Sequence, residues 1–228
     1  MLAKAGVSLP KIFLSEAGRK PCNARTVNQV TPELPVLLVH GLWDSRLRIA
    51  PMARGLAARG VAHVHSFDLE PSSGRAPIAE LARQVKREAD ALLERHRVPR
   101  IDLVGFSMGA LASRYYVQRL AGRHHVRRFV SISGPHAGTW TAYALPFEGV
   151  RQMRPGSAFL RDLDADPDPF GDVEVHCIYT SLDLMIVPQE SSVLRGAHAV
   201  HRLRVPMHRF MIHDAGVLDL VASTLRGS

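Results

Sequence analysis

Lysine is scarce in this chain: Lys4, Lys11, Lys20 and Lys86 are the only four among 29 Lys+Arg residues. Cysteine is scarcer, with Cys22 and Cys177 alone. Two thiols so far apart make no disulfide framework, and the apolar run around Cys177 suits a buried free thiol. No apolar stretch is long enough to cross a bilayer. Lys4, Gly6, Pro10 and Lys11 interrupt every apolar run near the N-terminus, which leaves no secretory core. A cytoplasmic location is the expectation, with secretion left open. H-E-x-x-H and paired C-x-x-C are absent, as are the P-loop and dinucleotide fingerprints, so neither a metal nor another cofactor is expected. Asp162, Asp164, Asp166 and Asp168 suggest calcium. Pro167, Pro169 and a misplaced Gly171 break the required loop pattern, and a solvated acidic loop is expected instead.

Acidic residues are in the minority, 21 Asp+Glu against 29 Lys+Arg, for a net charge of +8. Such an excess serves nucleic acid or an anionic surface when it is clustered. Here arginines are spread over every segment, and no nucleic-acid partner is expected. The densest patch, Arg123, Arg127 and Arg128 with His124 and His125, falls between a helix and a strand and reads as a solvated turn.

The 228 residues, 46% of them hydrophobic, suit one core-forming domain. Prolines punctuate residues 1–34, which read as an N-terminal extension with a short strand at 12–14. From residue 35 a regular alternation begins and runs to residue 228. Strands are expected at 36–39, 61–67, 101–104, 129–132, 173–179 and 200–205. Helices are expected at 47–59, 78–96, 108–120 and 217–225. In the second helix Leu81, Val85, Ala89, Leu92 and Leu93 share one face. Strands alternating with helices predict an α/β fold, a mostly parallel sheet covered on both faces. Ligands in such folds bind beyond the carboxyl ends of the strands.

Gly105-Phe106-Ser107-Met108-Gly109 occupies that position, with a strand running in and a helix running out. The tight turn raises the Ser107 hydroxyl to the sheet edge at a helix N-terminus, where free N–H groups favour developing negative charge. The plain alternative is a helix-capping serine. Acyl transfer also needs oxyanion donors. The backbone N–H of Met108 is one candidate, and that of Leu42 is the other, in the His40-Gly41-Leu42-Trp43 turn after the first strand. His40 reads as a structural hydrogen-bonding residue. Trp43 either lines an acyl pocket or packs the core.

A serine hydroxyl needs a positioned base and an orienting acid, which follow in the chain order Ser, acid, His. Asp183, after an apolar strand and ahead of a run closed by Pro188, is the leading acid; Asp172 and Glu190 are rivals. His198, His201, His208 and His213 lie in the right zone for the base. Spacing leaves His208 and His213 unresolved.

These residues resemble the small bacterial lipases and esterases of the α/β-hydrolase superfamily. The matching pieces are residues 37–43, residues 101–109, Tyr115-Tyr116, residues 131–134, residues 179–183 with 185–187, and residues 194–197. The resemblance implies an α/β-hydrolase fold and a carboxylic ester hydrolase working through an acyl-enzyme. It favours His208 as the base with Ser107 and Asp183. Phe106 stands where the family commonly has His, and with Trp43 and Trp140 it is assigned to substrate binding.

The segment at about 136–172 is irregular and holds Trp140, Tyr143, Leu145, Phe147, Met153, Phe159 and Leu160. In such hydrolases this position hosts a lid. Its apolar side chains either cover an acyl chain or pack on the core. The expected partner is an ester or lipid, with which transient contact at a membrane or lipid surface is compatible. A thioesterase, acyltransferase or amidase would use the same triad.

Overall fold

The computed structural model describes residues 33–227. The extension expected over residues 1–34 lies almost wholly outside the described residues, as do the strand expected at 12–14 and Cys22. Six strands form one sheet: β1 (Val36–Val39), β2 (Val64–Ser66), β3 (Ile101–Phe106), β4 (Val126–Ile132), β5 (Glu174–Thr180) and β6 (Ala199–Leu203). Their order is β2-β1-β3-β4-β5-β6, and every pairing is parallel. The helices are α1 (Arg46–Ala57), α2 (Ile78–His96), α3 (Met108–Arg119), α4 (Glu148–Gln152), α5 (Ala158–Asp164) and α6 (Ala215–Arg226).

The near-continuous apolar strands fit burial on both faces. Leu37, Val39 and Leu103 pack into one core with the apolar faces of α2 and α3. Val36, Leu38, Val104 and Phe106 point the other way, into a second core with α1 and α6. In α2 the expected stripe of Leu81, Val85, Ala89 and Leu92 is buried, and Leu93 is partly buried. From β1 the chain runs outward to β2, then returns to place β3 on the opposite side of β1. The strand order therefore reverses between β1 and β3, which opens a crevice at their carboxyl ends.

Several elements differ from the sequence expectation. β2 has three residues rather than seven, because His63 turns into the left-handed region (φ 53°) and breaks the extended run. β4 starts three residues early, and the basic patch expected as a solvated turn is partly strand. There Arg127 donates to both carboxylate oxygens of buried Asp102 (3.0 and 2.5 Å). Arg128 donates to Glu174 (2.9 Å) and to the Leu225 carbonyl near the end of α6 (2.8 Å). Charge inside a strand is tolerated here because each guanidinium finds acceptors.

The segment at 136–172 is more regular than expected. It contains a 3₁₀ turn (Trp140–Tyr143), α4 and α5, and it buries Val150, Met153, Leu160 and Leu163 in the core beside α3. Its acidic run is not merely solvated. Arg114 pairs with Asp164 (2.6 Å), and Arg119 bridges Asp162 and Asp166 (3.1 and 2.8 Å).

Candidate active site

Ser107 sits between β3 and α3 with φ 55° and ψ −125°. A non-glycine residue in that region is strained and persists only where its surroundings over-determine it. Three glycines supply that constraint. A Cβ on Gly105 would lie 2.6 Å from Ala110 Cα, and one on Gly109 would lie 2.3 Å from the His40 carbonyl oxygen. A Cβ on Gly41 would lie 2.9 Å from Ser107 Cβ and 3.3 Å from Oγ. The turns after β1 and β3 therefore touch, at the point where the strand order reverses.

His40 is fully buried. Its Nε2 accepts from the Leu69 N–H (2.9 Å), which leaves Nδ1 as the donor to the Gly41 carbonyl (3.0 Å). It thus holds the β1 turn, the structural role expected. The Trp43 N–H is committed to the Ser72 carbonyl (2.8 Å), whereas the Leu42 N–H has no acceptor among the described residues. Met108 opens α3, where no intrahelical acceptor exists for its N–H. Both N–H groups proposed from the sequence as oxyanion donors are therefore available.

Asp183 lies in the loop after β5 and is 1% exposed. One carboxylate oxygen accepts from the N–H groups of Met185 (2.8 Å) and Ile186 (2.9 Å). The other lies 2.7 Å from His208 Nδ1. Burial by itself would raise the pKa of this carboxyl. The bond to His208 and the two backbone donors outweigh it and hold the group below its ordinary value. His208 opens a 3₁₀ turn (His208–Ile212) after β6, and its ring lies against Phe106, with centroids 4.8 Å apart. His213, the competing base, is exposed at the end of that turn and faces none of these groups. Asp172 and Glu190 are exposed.

Ser107 and His208 line one cavity of about 420 Å³, together with Leu42, Trp43 and Phe106. Its inner wall is apolar, built by Ala142, Leu145, Val150 and Met153 from the 136–172 segment and by Ile186 from the acid loop. This volume falls in the range of small-molecule pockets. Trp140, assigned to substrate binding from sequence, does not line it. That side chain is 60% exposed and stacks on Tyr143, with centroids 5.6 Å apart.

Sequence reasoning missed two groups here. Arg48 and Arg209 stand at the cavity mouth. Thr139 and Thr141 tie the 136–172 segment to the acid loop. The Thr139 hydroxyl donates to the Met185 carbonyl (2.8 Å) and accepts from the Val187 N–H (2.9 Å). Thr141 donates to the same carbonyl (2.6 Å). Because Trp140–Tyr143 forms a 3₁₀ turn, no alternation in the local sequence singles out the two threonines.

The parallel sheet, its reversal at β1/β3 and the strained serine turn define an α/β-hydrolase. Residues 35–163, more than half the chain, match the palmitoyl protein thioesterase family, and the chain belongs to it. Solved structures of lipases share the fold at low identity. A lipase B of Aspergillus fumigatus is 18% identical at a TM-score of 0.75 over 85% of this chain, which spans only 52% of that one. The mature lipase of Bacillus licheniformis is 15% identical at 0.70, with 85% of this chain and 92% of that one covered. An esterase of Pyrobaculum calidifontis is 16% identical at 0.62, with 86% and 76% covered.

Proposed function

We propose that the chain hydrolyses long-chain acyl thioesters through a Ser107–His208–Asp183 triad and an acyl-enzyme. The observation that carries this is the Asp183–His208 pair, 2.7 Å apart, facing the cavity that exposes the strained Ser107. Asp183 accepts from Nδ1–H, which leaves Nε2 free as the base. Nε2 takes the Ser107 proton as Oγ attacks the acyl carbonyl. The N–H groups of Leu42 and Met108 receive the oxyanion. The imidazolium then protonates the departing thiolate, and a water activated by Nε2 releases the fatty acid and regenerates Ser107. The apolar wall of Leu145, Val150 and Met153 takes the acyl chain. The family match favours a thioester over an oxygen ester, and it includes Ser107 and Leu42 while Asp183 and His208 lie beyond it. The lipase and esterase neighbours favour oxygen esters as a second reading.

The test is fluorophosphonate labelling with peptide mapping, followed by hydrolysis of palmitoyl-CoA and of matched nitrophenyl esters. Modification at Ser107 and preference for the thioester are expected. Labelling elsewhere overturns the triad, and oxygen-ester preference overturns the thioester assignment alone.

A further inference from the structure

Large apolar side chains left in water are not scattered over this molecule. Ten of the eleven among the described residues belong to segments leaving the carboxyl ends of β1, β4, β5 and β6, the edge where the cavity opens. Leu47 is 78% exposed, Leu184 73%, Trp140 60% and Trp43 55%, and Met207 and Phe210 are exposed as well. Isolated surface leucines need no explanation, but a collar drawn from four loops at one sheet edge does, with Trp43 and Met185 of it lining the cavity. The collar is also cationic. Arg48 and Arg209 line the mouth, and Arg209 lies over the Phe210 ring (5.1 Å). Arg48 lies 3.9 Å from Asp44, and the neighbouring Arg46 pairs with Asp68 at 3.2 Å. No ion pair occupies Arg209 among the described residues. The whole chain carries +8.

We infer that this collar docks the protein on an anionic lipid bilayer, with the cavity mouth facing the membrane. Tryptophan, tyrosine and arginine are the side chains that settle at a lipid headgroup layer, apolar body down and polar end out. Exposed apolar side chains spread over four loops suit a fluid surface better than a peptide, which needs one continuous groove. Negative lipids complement the uncompensated arginine. The inference rests on the acyl-hydrolase reading only for its purpose. A long acyl chain resides in the bilayer, and docking brings the mouth to it. Docking itself requires no turnover.

The chain's two tryptophans, Trp43 and Trp140, both stand in the collar, so tryptophan emission reports on this surface alone. The experiment adds vesicles of phosphatidylcholine with about 30% phosphatidylglycerol, and of phosphatidylcholine alone, to full-length Ser107→Ala protein. Expected are a blue shift, co-flotation with the anionic vesicles and weaker binding to neutral ones or at high salt. The double variant Leu47→Ser/Leu184→Ser should bind roughly tenfold more weakly. In the Ser107 background, that pair should leave hydrolysis of a soluble short-chain nitrophenyl ester unchanged. No flotation, equal binding by the double variant, or a blue shift arising from self-association without vesicles overturns the inference. Inactive enzyme that still docks counts against the hydrolase reading alone.

Discussion

Gly41 shows how closely a single residue is constrained here. It has no special φ requirement, yet a methyl group on it would press on the Ser107 Cβ at 2.9 Å. Gly41→Ala is expected to fold, because only one turn must shift, and to lose about a hundredfold in kcat/KM or more through displacement of Ser107 and the Leu42 N–H. Circular dichroism with steady-state kinetics checks both halves. The two histidines left open by spacing separate as sharply. His208→Ala removes the group bonded to Asp183 and should cost on the order of a million-fold in kcat. His213→Ala removes an exposed side chain and should leave kcat within about twofold. Equal losses in both variants would refute the base assignment.

The elements around the site are coupled through the threonines. Thr139 is 4% exposed and joins the segment after β4 to the loop after β5 that carries Asp183. Thr139→Val keeps the shape and deletes the hydroxyl, stranding the Val187 N–H. The expected result is a destabilisation of about 1–3 kcal/mol by denaturant titration and a tenfold or greater fall in kcat. Thr139→Ser should restore most of both. A variant that loses stability with unchanged kcat would show that the tie does not position Asp183. The extra residues of β4 follow the same logic of pairing between elements. Arg127 and Arg128 could join a strand only because Asp102, Glu174 and the end of α6 were there to receive them, partners invisible from local sequence.

For the molecule as a whole, histidine sets the expected response to acid. His136 is buried against Ser131 (Nε2 to Oγ, 2.6 Å), and burial, then the charge of Arg114, pushes its pKa well below the ordinary value. Burial likewise lowers His65, His96 and His201, with neighbouring histidine charges adding to it. Each folded-state pKa lies below the unfolded one, so the unfolded chain binds more protons. Stability is full above about pH 6.5 and declines as the pH falls through the histidine range. Asp183, shifted downward, loses its contribution only in a lower window, from about pH 4 down. The melting temperature should drop measurably between pH 7.5 and 5.5, and less so in His136→Gln. A flat profile would contradict the buried neutral imidazole.

How much of this was legible beforehand depended on distance along the chain. The apolar runs of β1 and β3, the stripe of α2 and the glycine-flanked Ser107 are local patterns. The periodicity of burial and the steric demands of a strand-to-helix turn write such patterns directly into neighbouring residues. The pairing of His208 rather than His213 with Asp183, the placement of Trp140 outside the cavity lining, the arginine clamp on the acidic run and the threonine tie are contacts between residues far apart in sequence. Only the packing of loops at the sheet's carboxyl edge decided them, because a hydrogen bond or an apolar wall depends on which side chains meet in space.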